Sequence, residues 1–176
     1  MKAVLIILIF LFSFFIIGCA KQEIVQEQIQ ASAMKVTSPD FSQGSAIPKE
    51  FTCDGADISP ELDIENLPED TKSIAIIIDD PDAASGTFTH WIVWNIPSAN
   101  KIEKNSSQGI SGTNSFKKTG YQGPCPPAGK AHRYIFKIHA LDSELNLDAS
   151  AEKDDLINAM KSHILAQSEI MAEYQR

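Results

Sequence analysis

Four polar side chains stand where strand-like runs of this sequence begin or end. Asp80 follows the isoleucine-rich run Ser73–Asp79 (SIAIIID) and opens Asp80-Pro81-Asp82; His90 sits in Phe88–Ile96 (FTHWIVWNI); His132 and Tyr134 lead into Tyr134–Leu141 (YIFKIHAL). A phenol and two imidazoles can donate hydrogen bonds to a phosphate or carboxylate oxygen, whereas an ionised carboxylate can only accept. Asp80 is therefore expected to take a proton-bearing nitrogen of His90 or His132, or a ligand's ammonium group. Such an Asp–His contact favours the imidazolium, so anion binding is expected to strengthen as pH falls through the histidine range. Strand alternation puts Asp80 on one face with Ile74, Ile76 and Ile78. It puts His90 with Ile92 and Trp94, and His132 and Tyr134 with Phe136 and Ile138. If the three strands pair, these groups converge at one rim of a sheet, where a small ligand could bind. Taken singly, each has a plainer role: Asp-Pro-Asp as a turn, His90 as a satisfied core residue, and Gly-Pro-Cys-Pro-Pro as a rigid loop. His139 and His163 have no partners in the sequence and are read as structural.

The elements that position these groups follow from periodicity and punctuation. All nine prolines lie between Pro39 and Pro127, so this middle region reads as strands separated by ordered loops. Ser73–Asp79 is apolar on both faces and reads as a central strand. Weaker strands are expected at Lys35–Thr37 and Leu62–Glu65. The segment 109–129 holds five of the nine glycines and three prolines and must be a structured loop. From about Ala151 a helix is expected, with Leu156, Ile157, Met160 and Ile164 as its apolar stripe, continuing to Ala166, Ile170 and Met171. The domain reads as mainly β with peripheral helices.

The first 18 residues hold 15 apolar ones behind Lys2, a run too short to cross a bilayer and of the form of an export signal. It ends Ile17-Gly18-Cys19, which resembles a lipobox with Cys19 as the lipidated residue. Residues 19–33 read as lipidated Cys and flexible tether, and 34–176 as the folded domain. An exported chain, expected as a membrane-anchored lipoprotein facing the extracytoplasmic side, would keep Cys53 and Cys125 in an oxidising compartment, either bonded or as inert buried thiols. Residues 19–176 carry 14 Lys+Arg against 23 Asp+Glu, a formal charge of −9. Such a field excludes nucleic acid as the main partner and leaves the lipid anchor as the only expected membrane contact.

Together these segments resemble the phosphatidylethanolamine-binding protein family in its prokaryotic Raf-kinase-inhibitor-like (YbhB/YbcL-type) branch. The resemblance rests on Asp80-Pro81-Asp82-Ala83 followed by Thr89-His90-Trp91. It rests also on Gly120-Tyr121-Gln122-Gly123-Pro124-Cys125-Pro126-Pro127 followed by His132-Arg133-Tyr134. Phe51-Thr52-Cys53-Asp54-Gly55, Ser59-Pro60 and His163-Ile164-Leu165-Ala166 add branch features, and the similarity runs from about Met34 to Arg176. It implies a central antiparallel sheet packed on a smaller one, with peripheral helices including a C-terminal one. It also implies a pocket for anions such as phosphate, acetate or phosphoethanolamine. Carried over by motif, Asp80, His90, His132 and Tyr134 are the pocket residues, and Asp82, Gly123, Cys125 and Pro126 its rim. Ala84 stands where the family motif often has proline, and the loop to His90 is short, so contacts made there by kinase-regulating relatives do not transfer.

The reading is therefore a non-enzymatic binding protein with a small-anion pocket and no cofactor, modulating a kinase or protease. The alternatives are a serine-protease inhibitor acting through a surface loop, and a hydrolase. The hydrolase would use Asp80, Asp82, His90 and His132 as metal ligands or Cys125 as nucleophile, but neither metal-ligand spacing nor a Gly-x-Ser-x-Gly elbow supports it. A protease and a second copy of the chain are the protein partners this reading allows.

Overall fold

A computed structural model describes residues 33–176. The export segment 1–18, lipidation at Cys19 and all of the tether but its last residue lie outside the described residues. The chain runs through β1 (Lys35–Thr37), a 3-10 turn at Lys49–Phe51, β2 (Leu62–Glu65), β3 (Ser73–Asp80), β4 (Phe88–Pro97) and β5 (Lys101–Ile102). It continues through β6 (Ile110–Ser111), β7 (His132–Leu141), α1 (Lys153–Met160) and β8 (Ile164–Tyr174). These form two antiparallel sheets, a small one in the order β1-β2-β5 and a five-stranded one in the order β6-β4-β3-β7-β8.

The isoleucine-rich run forms the middle strand of the larger sheet, and every residue of β3 is buried. Its two faces serve two cores. Ile74, Ile76 and Ile78 pack with Trp91, Val93, Tyr134, Phe136 and Ile138 against Val36, Leu62, Ile64 and Ile102 of the small sheet. Ala75 and Ile77 pack on the other face with Ile92, Trp94 and Leu141 beneath Leu156 and Met160 of α1. Full burial of each such side chain contributes about 1.5–3 kcal/mol, so a central strand apolar on both faces is what a sheet covered on both sides requires. A capping box starts α1: the Glu152 backbone N–H donates to Asp155 Oδ2 at 3.0 Å, and the Glu152 side chain accepts in return.

Two expectations are corrected. The helix stops at Met160, and the stripe expected to extend it belongs to β8, which pairs with β7 from His132↔Tyr174 to Leu141↔Ile164. Ala166, Gln167, Glu169, Met171 and Glu173 give this segment ordinary helix propensity. A ten-residue ladder and burial of Ile170 and Ala172 in the core between the sheets override it. His163 accordingly lies in the connection after α1, with its Nδ1 2.8 Å from Asp142 Oδ1.

The second correction concerns His90. β3 runs Ile78, Asp79 without interruption opposite Trp91 and Thr89, so His90 is an additional residue in β4. This bulge puts His90 and Trp91 on the same face. His90 therefore faces the core between the sheets, beside Tyr134, while Ile92 and Trp94 face α1.

Candidate functional site

The bulge brings His90 to the rim where β3 ends and β7 begins. Asp80, the last residue of β3, accepts a hydrogen bond from His132 Nδ1 at 2.7 Å through Oδ2 and from the Asp82 backbone N–H at 2.8 Å through Oδ1. Of the two histidines expected as its partner, His132 is the one that binds it. His90 Nδ1 instead donates to the carbonyls of Gln122 (2.8 Å) and Gly123 (3.1 Å). The two carbonyls can only accept, so the proton of the neutral ring sits on Nδ1 and Nε2 carries the lone pair.

Tyr134 lies between these groups. Its ring stands edge-on to His90, with centroids 5.1 Å apart. The residue is wholly buried, and its hydroxyl has no hydrogen-bond partner. Asp80 and the Cys125 backbone come close enough to act on it electrostatically without forming a bond of good geometry. Burial first, then the Asp80 charge, holds the phenol proton well above the usual tyrosine range, so the hydroxyl is a donor at any working pH. A buried hydroxyl without a partner costs about 1–3 kcal/mol. Burial likewise lowers the pKa of His90, against the opposing effect of the two carbonyls and the Asp80 charge. The upward shift expected from an Asp–His contact does not occur at this ring.

The rim is cross-braced. Asp82 accepts from Arg133 three times, from Nε (2.8 Å), Nη2 (2.6 Å) and the backbone N–H (2.9 Å). These bonds, the side-chain ones first, hold its carboxyl down at about 2. The pair ties the Asp-Pro-Asp turn to β7 but is half-exposed, so its contribution to stability is modest. Gly123 N–H donates to Asp57 Oδ1 at 2.6 Å, Tyr121 Oη donates to the Phe51 carbonyl at 2.8 Å, and Cys53 is bonded to Cys125. A Cβ at Gly123 would lie 2.2 Å from the Phe51 carbonyl oxygen, so only glycine lets the two loops approach this closely. Pro126 is buried behind the same loop.

The structure thus gathers Asp80, His90, His132 and Tyr134 into one cluster and places Asp82, Gly123 and Cys125 around it. Sequence reasoning missed four contributors. Asn114 is buried and threads the site loop, donating to the carbonyls of His90 and Gly120 and accepting from the N–H groups of Phe116 and Lys118. Asp57 holds Gly123. Phe88 and Phe116 stand edge-on to His90 at 5.4 and 5.3 Å, and Phe116 is exposed at the surface. Parity with His90 could have found Phe88; nothing local marks the others. Open cavities lie elsewhere, among them one of about 380 Å³ beside Lys137, His139, Gln167 and Glu169. Volume alone does not orient an anion, and the unpartnered Tyr134 hydroxyl lies in the compact cluster.

The two-sheet fold, with a polar cluster at one end of its central strands, defines the class: a β-rich domain with a compact site walled by rings and an Asp–His pair. Residues 37–175 match the family described as phosphatidylethanolamine-binding protein, and the chain belongs to that family. It is 45% identical over 154 residues to a UPF0098 protein of Pyrococcus horikoshii, covering 82% of this chain and 77% of the relative. To a UPF0098 protein of Aquifex aeolicus it is 47% identical over 154 residues, covering 81% and 89%. It spans only 54% of a UPF0098 protein of Archaeoglobus fulgidus that is 45% identical. Among solved structures it resembles a phosphatidylethanolamine-binding protein homologue of Chlamydia trachomatis, with TM-score 0.78, 36% identity and coverage of 82% and 98%. It also resembles E. coli YbcL, described as a new member of the mammalian PEBP family, with TM-score 0.76, 28% identity and coverage of 82% and 99%. Family membership points to a binding protein.

Proposed function

We propose that this domain is a non-enzymatic binding protein whose cluster at Asp80, His90, His132 and Tyr134 takes a small anion of the phosphate or carboxylate type. The observation that carries this reading is the wholly buried Tyr134 hydroxyl, which donates to no protein atom and lies beside two histidines and the Asp80 carboxylate. An anionic oxygen at that point would accept the hydroxyl's hydrogen bond. Asp80, with both oxygens occupied, orients His132 rather than facing the anion itself.

The disulfide bears on two further points. With its sulfur bonded to Cys53, Cys125 offers no thiolate nucleophile, which disfavours a cysteine-dependent hydrolase. A disulfide also suits an oxidising compartment, which supports the reading of the chain as exported. Modulation of a kinase or protease would be a consequence of ligand occupancy at this rim. The test is thermal unfolding with phosphate, acetate or phosphoethanolamine added. Each should raise the Tm of the protein, and His90→Ala should abolish the rise; an equal rise in the variant would reject this site.

A further inference from the structure

We propose that the β7–β8 part of the opposite sheet face holds a second site, independent of the anion cluster, for a small zwitterion of the α-amino-acid class. Lys137 takes its carboxylate and Glu169 its ammonium group, beside the buried imidazole of His139.

The starting observation is a buried ring without partners. His139 is only 8% exposed, yet neither of its nitrogens is hydrogen-bonded to a protein atom among the described residues. Buried polar atoms are ordinarily satisfied, so two orphans on one ring mark a place that another molecule completes. The ring lines an open cavity of about 380 Å³ together with Lys137, Gln167, Ser168 and Glu169. That volume is in the range of small-molecule sites. Alternation along β7 turns Lys137 and His139 away from the core that holds Tyr134, Phe136 and Ile138, so this cavity and the anion cluster lie on opposite faces of the sheet.

The ladder sets the charges. Lys137 lies directly opposite Glu169, and His139 opposite Gln167. Opposite charges facing each other across a ladder are within pairing reach. Here they do not pair: Lys137 Nζ turns to Asp79 Oδ2 at 3.1 Å, and among the described residues the Glu169 carboxylate and the Gln167 amide bond no side chain. Ser168 Oγ is already taken by the Val36 N–H. Lys153 Nζ reaches both Asp79 oxygens at 2.8 Å, so Asp79 stays compensated when Lys137 gives one of its three N–H groups to a ligand. Burial, then the Lys137 charge, lowers the pKa of His139, and the neutral ring keeps one nitrogen as an acceptor.

A simple anion would meet Lys137 but face Glu169, and a simple cation the reverse. A zwitterion brings one charge of each sign and answers both. Its ammonium group has three N–H donors, for the Glu169 carboxylate, Gln167 Oε1 and the acceptor nitrogen of His139. The ring nitrogens are shielded from solvent, and Gln167, exposed and directly opposite, is the flexible side chain that swings aside to admit the ligand.

The test reads the histidine ring nitrogens by long-range ¹H–¹⁵N NMR, with the His139 signals assigned by their through-space contacts to Gln167. Glycine and L-glutamine, a small and a larger zwitterion, are titrated alongside acetate and ethylammonium, each of which carries one of the two charges. Both amino acids should move the His139 signals saturably, and at least about tenfold more tightly than either single-charge probe, the effect of one hydrogen-bonded charge. Acetate at the anion cluster moves the His90 and His132 signals instead, so the two sites are read separately. Glu169→Gln should weaken glycine binding by at least about tenfold while keeping the parent Tm, because that side chain has no partner to lose. Should this variant not fold, the four titrations of the unaltered protein still decide. His139 signals unmoved by both amino acids, or acetate or ethylammonium acting there as tightly as glycine, would overturn this inference and leave the anion site standing.

Discussion

Opening the Cys53–Cys125 bond should weaken the fold far more than it rearranges the site. The bond spans 72 residues. In the chain-entropy treatment a closed loop of that size removes about 15 cal/mol/K from the unfolded ensemble, or about 4 kcal/mol at 25 °C. The native loops keep other ties: Tyr121 Oη to the Phe51 carbonyl, Gly123 N–H to Asp57, and Cys53 N–H to the Pro124 carbonyl. The loss therefore falls on the unfolded state. With about 2.1 cal/mol/K of unfolding entropy per residue, residues 33–176 give about 0.3 kcal/mol/K, so Tm should fall by about 15 °C. Scanning calorimetry of the oxidised protein against Cys53→Ala/Cys125→Ala measures this, with thiol titration confirming that the parent has no free Cys53 or Cys125. A drop of less than about 3 °C would refute the entropic argument. Loss of phosphate binding in the double variant would refute the claim that the remaining ties hold the loops.

Other outcomes follow from single residues. His139 is buried on β7 with neither ring nitrogen hydrogen-bonded, and burial, then Lys137, lowers its pKa from 6.5. The unfolded chain takes up the proton more readily, so stability is full above about pH 6.5 and falls as pH drops below it. His139→Leu should flatten that acid limb in urea titrations run across the range, and an unchanged slope would contradict the assignment. Gly123→Ala should cost about 1–3 kcal/mol by overpacking and should weaken anion binding as well, because the Gly123 carbonyl that fixes His90 must move. A variant as stable and as tightly binding as the parent would show that the loops can yield.

Much of this was legible in the sequence because hydrophobic alternation carries it. The strands at Lys35–Thr37 and Leu62–Glu65 occur at those residues, and the central position of the SIAIIID run follows from its being apolar on both faces. Asp80, His132 and Tyr134 share a face as parity requires. His90 joins them for a different reason: strict alternation assigns it to the face of Ile92 and Trp94, and only the bulge reverses that. A bulge is set by pairing with β3, and no residue type in FTHWIVWNI announces it. The same holds for β8, where long-range pairing with β7 outweighs helix-favouring Ala, Gln, Glu and Met side chains. Asn114 and Asp57 are joined to the site by hydrogen bonds spanning 24 and 66 residues, which local pattern cannot reveal.

The central claim is that the buried Tyr134 hydroxyl donates to a bound anion, and calorimetric titration of inorganic phosphate into the protein and its Tyr134→Phe variant tests it most directly. Tyr121→Phe is the control, since that hydroxyl is already taken by the Phe51 carbonyl. Tyr134→Phe should lower phosphate affinity by at least about tenfold without lowering the stability of the unliganded protein, because it removes a polar group that had no partner. Equal phosphate affinity in the parent and the Tyr134→Phe variant would contradict it.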